Sequence, residues 1–519
     1  MTVLVVASAA APLVLAVGSA PAASPLPPKL VTPRTLSANG ADAVIPAVAT
    51  DAKGNTVVAW AQARGSNWTN QAVYRPAGRS WGSPQALSMP ANHVASPQIA
   101  IAGTNVVAVW ERFDGKNLIA QTADRDPKTG TWGIPTSLSA SGRDAQAPRI
   151  AVDARGDTAA VWASVNLQGW TIQAAYRPAG GSWLPTAVLD VPQVGTAAAD
   201  VVVDNAGVAT AVWTATTGNS WRVYGASRQA DGSWTRQVAL SDADPSGSLA
   251  PQLALERSND VTAIWSRSVG STIVPELSTR SAATGAWSGS RQLFPGEVGA
   301  FGPQIATNRR GDGVIVWTSS TKAGLVVKAA VRRPGKAWGA PTVLATGSGP
   351  QVALDGQGAA LVVWARSIAG LSRVQAASLA ANGTTWSPPR TLSKAGRDAL
   401  TPQPALDPDG DGAVVWARYD GRSFVIQGAG YDGAGPVLDK LSVPATGVVG
   451  KQLTFSVAPR DVWSAVGSIH WIFGDGRTGS GKLTSHVYTD PGRYSAQVTA
   501  TDLTGRARTL RRTVTISAA

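Results

Sequence analysis

The chain has 519 residues, no cysteine, and 45 lysines and arginines against 32 aspartates and glutamates, which gives a net charge of +13. The lack of cysteine excludes disulfide frameworks, thiol catalysis and thiolate metal sites. The basic residues are spread along the chain rather than gathered in a dense stripe, which argues against nucleic-acid binding. The charge indicates either a soluble basic surface without a specific partner or attraction to anionic surfaces such as wall polymers or acidic polysaccharides.

The first 22 residues have the features of a secretory signal. Residues 4–17 form an apolar run that is too short to cross a bilayer. Residues 20–22 read Ala-Pro-Ala, an A-x-A cleavage site, although no basic residue precedes the run because the first is Lys29. We therefore predict a signal peptide over 1–22. No second apolar run follows, so we expect a mature chain without a membrane span, either secreted or associated with the cell surface.

A repeated unit fills most of the chain that follows. One copy, from Pro148 to Leu189, reads as four short strands bounded by Gly, Asp, Asn and Pro. A tryptophan ends the second strand of each copy, and these tryptophans recur at spacings of 47 to 52 residues: Trp60, Trp110, Trp162, Trp213, Trp265, Trp317, Trp364 and Trp416. A second series opens the fourth strand: Trp81, Trp132, Trp183, Trp234, Trp287, Trp338 and Trp386. A four-stranded unit of this length is typical of a β-propeller blade, and both series are expected to pack between neighbouring sheets.

The second series is one tryptophan short, and the N-terminus indicates where the missing strand lies. The sequence PRTLSANGADAVIP (33–46) nearly matches PRTLSKAGRDALTP (389–402). Residues near Lys29 to Leu36 are therefore predicted to supply the outer strand of the last blade, which leaves no open sheet edge. The fold predicted for residues 29–433 is an eight-bladed β-propeller closed by an N-terminal strand, and we expect a monomer.

The turn before the fourth strand, RPAGGSW at 177–183, partly resembles the Asp-box turn of sialidase-type propellers, but its aspartate is absent or displaced. Six blades place an arginine before this turn, and we expect these side chains to donate hydrogen bonds to backbone carbonyls. They are Arg75, Arg125, Arg177, Arg228, Arg280 and Arg332.

From about Pro436 the repeat stops. The segment contains Trp-Ile-Phe-Gly-Asp-Gly at 471–476, His-Val-Tyr at 486–488, Pro-Gly-Arg-Tyr at 491–494 and then Asp502. In this order the motifs closely resemble the PKD family, whose members are Ig-like β-sandwiches. The resemblance implies a sandwich over 437–519 that acts as a spacer or as a protein or carbohydrate contact. It also implies turn residues at 475 and 476, with His486 and Tyr488 as packing or hydrogen-bonding partners.

Propeller ligands usually lie over the central channel, on the face formed by the loops between strands two and three and between strands four and one. In this chain the polar residues of those loops form an arc that runs from blade 7 through blades 8 and 1 to blade 3. The candidate binding residues are Asp42, His93, Arg112, Asp114, Arg143, Asp144, Arg397, Asp398, Arg418, Tyr419 and Asp420. Two interpretations stay open: a polar mouth that binds a ligand, or turn residues kept from an ancestral repeat.

Two further groups are candidates for binding. Trp68, Trp170 and Trp221 fall outside both tryptophan series, in or after the loops between strands two and three, and are predicted to be exposed aromatic contacts. The aspartates of Asp-Pro-Asp-Gly-Asp-Gly at 407–412, namely Asp407, Asp409 and Asp411, resemble the first half of a calcium loop that lacks the later glutamate. A calcium site and an ordinary turn both remain open there, and we expect no other metal and no cofactor.

Catalytic groups are scarce. The chain has three histidines, and no nucleophile motif such as G-x-S-x-G accompanies His93. We therefore predict a secreted, non-catalytic binding or adhesion protein that presents propeller loops to a polysaccharide, a cell-envelope component or another extracellular protein. The alternative is a secreted carbohydrate-active enzyme of the glycosidase, sialidase or lyase type with a PKD accessory module, in which Asp144 and Asp398 would be the paired carboxylates.

Overall fold

A computed structural model describes residues 28–190, 195–244 and 250–519, so the predicted signal peptide lies outside the described residues. In these ranges the protein is all-β, and no helix is long and apolar enough to cross a membrane. The strands of the same ranges form eight successive antiparallel sheets, the blades, and then two sheets of a C-terminal domain. The predicted propeller with an Ig-like domain is confirmed.

Blades 1 to 7 each contain four strands paired in chain order. The strands of blade 1 are Ala43–Thr50, Thr56–Arg64, Asn67–Arg75 and Gln85–Ala86, and those of blade 2 are Val94–Ala102, Asn105–Phe113, Leu118–Asp124 and Thr136–Ser137. The strands of blade 3 are Asp144–Val152, Thr158–Asn166, Gly169–Arg177 and Ala187–Val188, and those of blade 4 are Thr196–Val203, Ala209–Thr217, Ser220–Ser227 and Val238–Ala239. The strands of blade 5 are Gln252–Leu255, Val261–Val269, Thr272–Arg280 and Arg291–Gln292, and those of blade 6 are Ala300–Thr307, Gly313–Thr321, Gly324–Arg332 and Thr342–Thr346. The strands of blade 7 are Ser348–Leu354, Ala360–Ile368, Leu371–Leu379 and Arg390–Thr391. Blade 8 comprises Ala399–Leu406, Gly412–Tyr419 and Phe424–Asp432, with Lys29–Leu30 and Arg34–Thr35 at its outer edge.

In blades 1, 3, 4, 7 and 8 an aspartate-centred turn joins the first and second strands. The Oδ1 atom of Asp51 accepts the backbone N–H groups of Lys53 and Asn55 at 2.8 and 2.9 Å. Gly54 adopts a φ of 81°, a conformation that costs glycine little because it has no Cβ. This local side-chain to backbone bonding explains why an aspartate and a glycine recur at these positions.

The first strands line the channel and close the ring. Each contacts the first strand of the next blade, and Ala399–Leu406 of blade 8 contacts Ala43–Thr50 of blade 1. In blades 1–4 and 6–8 the first strand carries a β-bulge near its start, as between Val44 and Ala47. A bulge bends its strand and re-aims nearby side chains, so these bulges shape the face at which the incoming loops arrive.

An N-terminal strap, residues 29–36, completes blade 8. Lys29 and Leu30 pair with Asp432 and Tyr431, and Arg34 and Thr35 pair with Gly428 and Gln427, all antiparallel. The side chain of Leu36 then enters the cluster between blades 8 and 1 that includes Trp60 and Ile426. The predicted closure by the N-terminal segment is therefore confirmed.

The tryptophans of the first series form the centres of the inter-blade cores. All eight are 0% exposed, and the hydrophobic clusters combine residues from neighbouring blades. A buried indole removes about 150–250 Å² from water, so these residues dominate the apolar burial of the ring. The second series is partly buried at the outer edge.

The outer strands are shorter than the sequence indicates. Most have two residues, as in Ala187–Val188, and the tryptophan lies before the strand. In blades 2 and 4–7 it makes an isolated bridge to the end of the third strand, such as Trp132 with Arg125. A proline follows five of these tryptophans within three residues, and it interrupts the ladder because proline has no N–H to donate.

The arginines before these turns contact side chains more than carbonyls, so that expectation is wrong for most of them. Arg125 and Arg228 lie over tyrosine rings, Arg177 pairs with Asp124, and Arg332 pairs with Glu256. Within the described ranges, Arg75 alone of the six donates to a backbone carbonyl, that of Val462. Each of these contacts reaches a neighbouring blade or the C-terminal domain.

The C-terminal domain is a sandwich of two sheets. One contains Val437–Ser442, Gln452–Arg460 and Leu483–Val487, and the other contains Thr446–Val448, Ala507–Ser517, Gly492–Asp502, Val466–Ile472 and Thr478–Ser480. Trp471, Phe455 and Phe473 form its buried centre. His486 stacks on Phe473 at 4.1 Å between ring centroids, and Tyr488 donates to the carbonyl of Phe473 at 3.0 Å. These are the packing and hydrogen-bonding roles that the PKD resemblance implies.

Candidate functional site

The candidate site lies on the upper face, the end of the propeller formed by the loops between strands two and three and between strands four and one. Three aspartates of the predicted arc share one contact there. In each case Oδ1 accepts, at 2.8 Å, a backbone N–H at the start of the third strand in the preceding blade. The pairs are Asp42 with Phe424, Asp144 with Leu118, and Asp398 with Ser372. These carboxylates therefore connect neighbouring blades, which is a structural role.

His93 replaces the aspartate at this position in blade 2. Its Nε2 lies 3.0 Å from Glu111 Oε1, and Glu111 Oε2 accepts the N–H of Ala147 in blade 3 at 2.8 Å. The histidine side chain is about half exposed, whereas the glutamate is buried. His93 and Glu111 both belong to blade 2, so they connect blades 2 and 3, whereas the aspartates at this position reach the preceding blade.

The matching loops of blades 2 and 8 are built by their aspartates. Asp114 Oδ1 accepts the N–H groups of Lys116 and Asn117, both at 2.8 Å, and Asp420 Oδ1 accepts those of Arg422 and Ser423 at 2.8 and 3.0 Å. Backbone hydrogen bonds to the ionised form lower the pKa of both carboxyls. Both side chains are exposed and hold their turns.

Arginines gather where blades 7 and 8 meet on the upper face. Arg366 and Arg373 are direct cross-strand partners in blade 7, Arg397 lies in the loop between the blades, and Arg418 ends the second strand of blade 8. Burial and the charges of Arg373 and Arg397 lower the pKa of Arg418, and the charge of Asp420 partly opposes this shift. Opposed like charges are unfavourable, which indicates a site that is not optimised for stability alone.

These arginines lack the countercharges found elsewhere in the ring. Arg267 occupies the position in blade 5 equivalent to Arg366 and Arg418, and it pairs with Glu276 at 2.8 Å and Asp242 at 3.3 Å. In the part of the chain that the structure describes, neither Arg366, Arg373, Arg397 nor Arg418 forms an ion pair. The Nε atoms of Arg373 and Arg418 are buried without a hydrogen-bond partner. Arg373 donates to the carbonyl of Lys394, and Arg397 is the most exposed of the four arginines.

Two aromatic rings adjoin the cluster. Tyr419 and Phe424 begin and end the short loop of blade 8, and their ring centroids lie 5.5 Å apart at an interplanar angle of 54°. Both side chains are partly exposed. The guanidinium of Arg397 lies beside Gly421 in the same loop, 3.3 Å from where a Cβ would be. We call Arg373, Arg397, Arg418, Tyr419 and Phe424 the blade-8 rim.

The three tryptophans predicted as exposed contacts are partly buried. Trp68, Trp170 and Trp221 each pack against an inter-blade hydrophobic cluster. Trp68 and Trp221 also pair through their backbone with Ala91 and Asp244 in the following loop. Loop position alone does not predict exposure, because these loops fold back over the seams.

The loop at 407–412, for which a calcium site and an ordinary turn were both open, has the hydrogen bonds of a turn. Asp407 Oδ1 accepts three backbone N–H groups at 2.9 Å, Asp411 Oδ1 accepts those of Gly433 and Ala434, and Asp409 pairs with Arg508 at 2.8 Å. Burial raises the pKa of Asp407 to about 7 and that of Asp411 to about 8.

Another acidic group was missed by the sequence interpretation. Asp432, Asp461 and Asp502 are buried where blade 8 meets the C-terminal domain, with one oxygen of each within 4.8 Å of the others. Burial, followed by the charge of Asp461, raises the pKa of Asp432 to about 6. The guanidinium of Arg506 lies 3.6 Å from Asp432 and supplies a countercharge. The residues come from two domains, so no spacing in the sequence connects them.

Arg366 and Arg373 were also missed, although one signal was available. An arginine two residues after the buried tryptophan recurs at Arg112, Arg267 and Arg366 as well as Arg418. The place of Arg373 in the cluster could not be predicted in this way, because it depends on the pairing of Arg373 with Arg366 across two strands of blade 7.

Comparisons with known proteins describe the two parts separately. Residues 433–518 match the PKD domain family. A search among curated proteins finds no significant sequence match. Solved structures similar to this chain include a protein of unknown function from Dyadobacter fermentans (11% identity, TM-score 0.42, covering 78% of this chain and 98% of that one) and the intramolecular trans-sialidase from Ruminococcus gnavus (10%, 0.35, 74% and 93%). The PKD1 domain of the Vibrio cholerae metalloprotease PrtV is 28% identical with a TM-score of 0.14, covering 16% of this chain and 96% of that domain. All three TM-scores are below 0.5, so what those proteins do is not transferred to this chain.

The chain is therefore an eight-bladed β-propeller followed by a PKD domain.

Proposed function

We propose that this is an extracellular, non-catalytic binding protein whose blade-8 rim binds an acidic polysaccharide. The observation that carries the proposal is the group of arginines on blades 7 and 8 that have no carboxylate partners. Arg397 is exposed, and Arg418 is partly exposed. The net charge of +13 adds long-range attraction for a polyanion.

The rim offers two kinds of contact that an acidic sugar requires. A guanidinium group can donate two parallel hydrogen bonds to a carboxylate or sulfate, which makes such contacts short and directional. The rings of Tyr419 and Phe424 provide apolar surface beside these donors, against which a sugar ring can pack. A neutral glycan would provide no countercharge for the arginines, so we expect selectivity for uronic-acid or sulfated polymers.

The state of the acidic groups supports binding rather than catalysis. The carboxylates of Asp42, Asp144 and Asp398 accept backbone hydrogen bonds between blades, and Glu111 bridges His93 to the next blade. A glycosidase needs one carboxyl group to exchange a proton with the glycosidic oxygen and a second to act as base or nucleophile. Side chains held by such seam contacts are not free to take up these roles without weakening the ring.

The test is a binding titration of the full chain with polygalacturonate and with neutral dextran. We expect binding of polygalacturonate that weakens with salt and no binding of dextran, because screening acts on exposed charge pairs. Arg397→Gln and Arg418→Gln should each weaken binding by about tenfold, the value of one charged hydrogen-bonding contact. Arg291→Gln, an exposed arginine in the outer strand of blade 5, is the matched control and should bind as the wild type does.

Two results would overturn the proposal. Equal weakening by Arg291→Gln and Arg397→Gln would indicate attraction by net charge without a site. Release of reducing ends from the polymer would establish the alternative, a carbohydrate-active enzyme.

A further inference from the structure

Contacts between blades 1, 2, 3 and 4 follow a rule on the lower face, the end opposite the binding face. Near the end of each third strand, one residue faces the following blade; we call it the platform. The next residue in the chain, the bracket, faces the preceding blade. Three seams show brackets resting on platforms: Arg125 over the ring of Tyr74 at 3.9 Å, Arg177 paired with Asp124 at 2.6 Å, and Arg228 over the ring of Tyr176 at 4.0 Å.

The seam between blades 8 and 1 breaks this rule. In blade 1 the platform Tyr74 lies three residues after Gln71, the partner of Trp60. In blade 8 Trp416 pairs with Gln427, so the equivalent platform position is Gly430. The bracket of blade 1 that faces it is Arg75. The guanidinium of Arg75 lies 3.5 Å from the ring centroid of Trp463, a residue of the PKD domain. A Cβ on Gly430 would lie 2.3 Å from Cε3 of Trp463. The indole thus fills the space that a platform side chain occupies at other seams.

The loop that carries Trp463 is shaped for this position. Asp461 Oδ1 accepts the N–H groups of Trp463 and Ser464 at 2.9 and 2.7 Å. Val462 is 1% exposed and lies against the turn of blade 1, where a Cβ on Gly54 would be 2.6 Å from its Cγ2. Its carbonyl accepts hydrogen bonds from Arg75 and from the N–H of Gly78.

Two ion-pair or hydrogen-bond contacts flank the loop. Arg460 donates to the carbonyl of Lys53 in blade 1 at 3.1 Å, and Arg508 pairs with Asp409 in blade 8 at 2.8 Å. The PKD domain therefore contacts both blades at the seam where the first and last repeats meet. The chain joins blade 1 to blade 8 through residues 37–42 and the strap, and the strap is held to the other strands of blade 8 by non-covalent contacts.

We propose that the PKD domain is an intramolecular clasp of the ring, with Trp463 as the platform that blade 8 lacks. The strap at residues 29–36 closes the outer edge of blade 8, and the PKD loop closes the lower face of the same seam. The domain is then held at a fixed angle to the propeller rather than acting as a flexible spacer. Arg75 is 5% exposed, so its contact with the indole is largely shielded from water.

Hydrogen–deuterium exchange of the full chain tests this proposal. Trp463→Ala should increase exchange by about thirtyfold in the strap and in the third strand of blade 8, since a desolvated cation–π contact contributes this much to closing. Tyr176→Ala, which removes the platform of an internal seam, is the matched control. It should leave the strap unchanged because chain continuity holds blades 3 and 4 together.

A rescue variant separates the clasp from general instability. Gly430→Tyr alone should also open the seam because its side chain collides with Trp463. Combining Gly430→Tyr with Trp463→Gly should recover at least part of the protection, because the new tyrosine restores the platform for Arg75. Unchanged strap exchange in Trp463→Ala, or a double variant that exchanges faster than both single variants, would overturn the proposal.

Discussion

Leu36 is the residue whose replacement best separates ring closure from general packing. Its side chain is 6% exposed, and its Cδ1 lies 2.8 Å from where a Cβ on Gly428 would be. The backbone N–H of Leu36 donates to the carbonyl of Ile426 at 2.7 Å. Leu138 in blade 2 is equivalent: it is 8% exposed and donates to the carbonyl of Ala120 at 2.8 Å.

Leu36→Ala removes three buried carbons and leaves a cavity, which costs about 3 kcal/mol. The strap is held to blade 8 by strand pairing and by the packing of Leu36, so we expect this cost to appear as local opening of residues 29–36. An opening free energy lowered by about 3 kcal/mol corresponds to about a hundredfold faster amide exchange. Leu138→Ala costs a similar amount but should lower the global melting temperature without selective exchange in the strap.

Amide exchange followed by mass spectrometry measures both effects in the same peptides. The reasoning would be refuted if the strap of Leu36→Ala exchanged no faster than that of Leu138→Ala. It would also be refuted if both variants lost protection uniformly.

Three further replacements test side chains with defined partners. Asp190 accepts the backbone N–H of Ile172, in the third strand of blade 3, at 2.7 Å, and burial raises the pKa of Asp190 to about 7. The folded chain therefore holds a proton that the unfolded chain releases, and stability falls as pH rises from about 4 to 7. Asp190→Ser should stabilise the protein by roughly 1–2 kcal/mol at pH 8 and have little effect at pH 4, measured by urea unfolding. Arg267→Ala leaves the buried carboxylate of Glu276 without its partner and should cost about 3 kcal/mol, with partial recovery in Arg267→Ala/Glu276→Gln. Asp475→Ala removes the 2.7 Å contact to the buried ring of His486 and should lower the PKD-domain transition by about 1–3 kcal/mol in calorimetry, whereas an unchanged transition would contradict this role.

The repeat made most of the ring predictable. The spacing of the tryptophans sets the number of blades, because each indole must enter an equivalent core. The match between 33–46 and 389–402 placed the strap on the last blade, where the register with Gly428 and Tyr431 confirms it. The PKD motifs were also sufficient to predict a sandwich.

The sequence predicted less of the site, because the regular spacing of the repeats does not show which side chains contact one another. Asp144 and Asp398 stand out as polar residues, but only the folded ring shows that they hold the strands of preceding blades. The opposed arginines depend on the register of two strands in blade 7. Trp463 belongs to a different domain from Gly430. The sequence therefore does not show that the glycine leaves space for the indole of Trp463.

The most direct test of the proposed function is an exchange footprint of the full chain with and without polygalacturonate. We expect protection confined to residues 394–400 and 418–426, the loops of the blade-8 rim, and its loss in Arg397→Gln. Protection on the lower face or in the PKD domain alone would contradict the assignment of the rim as the binding site.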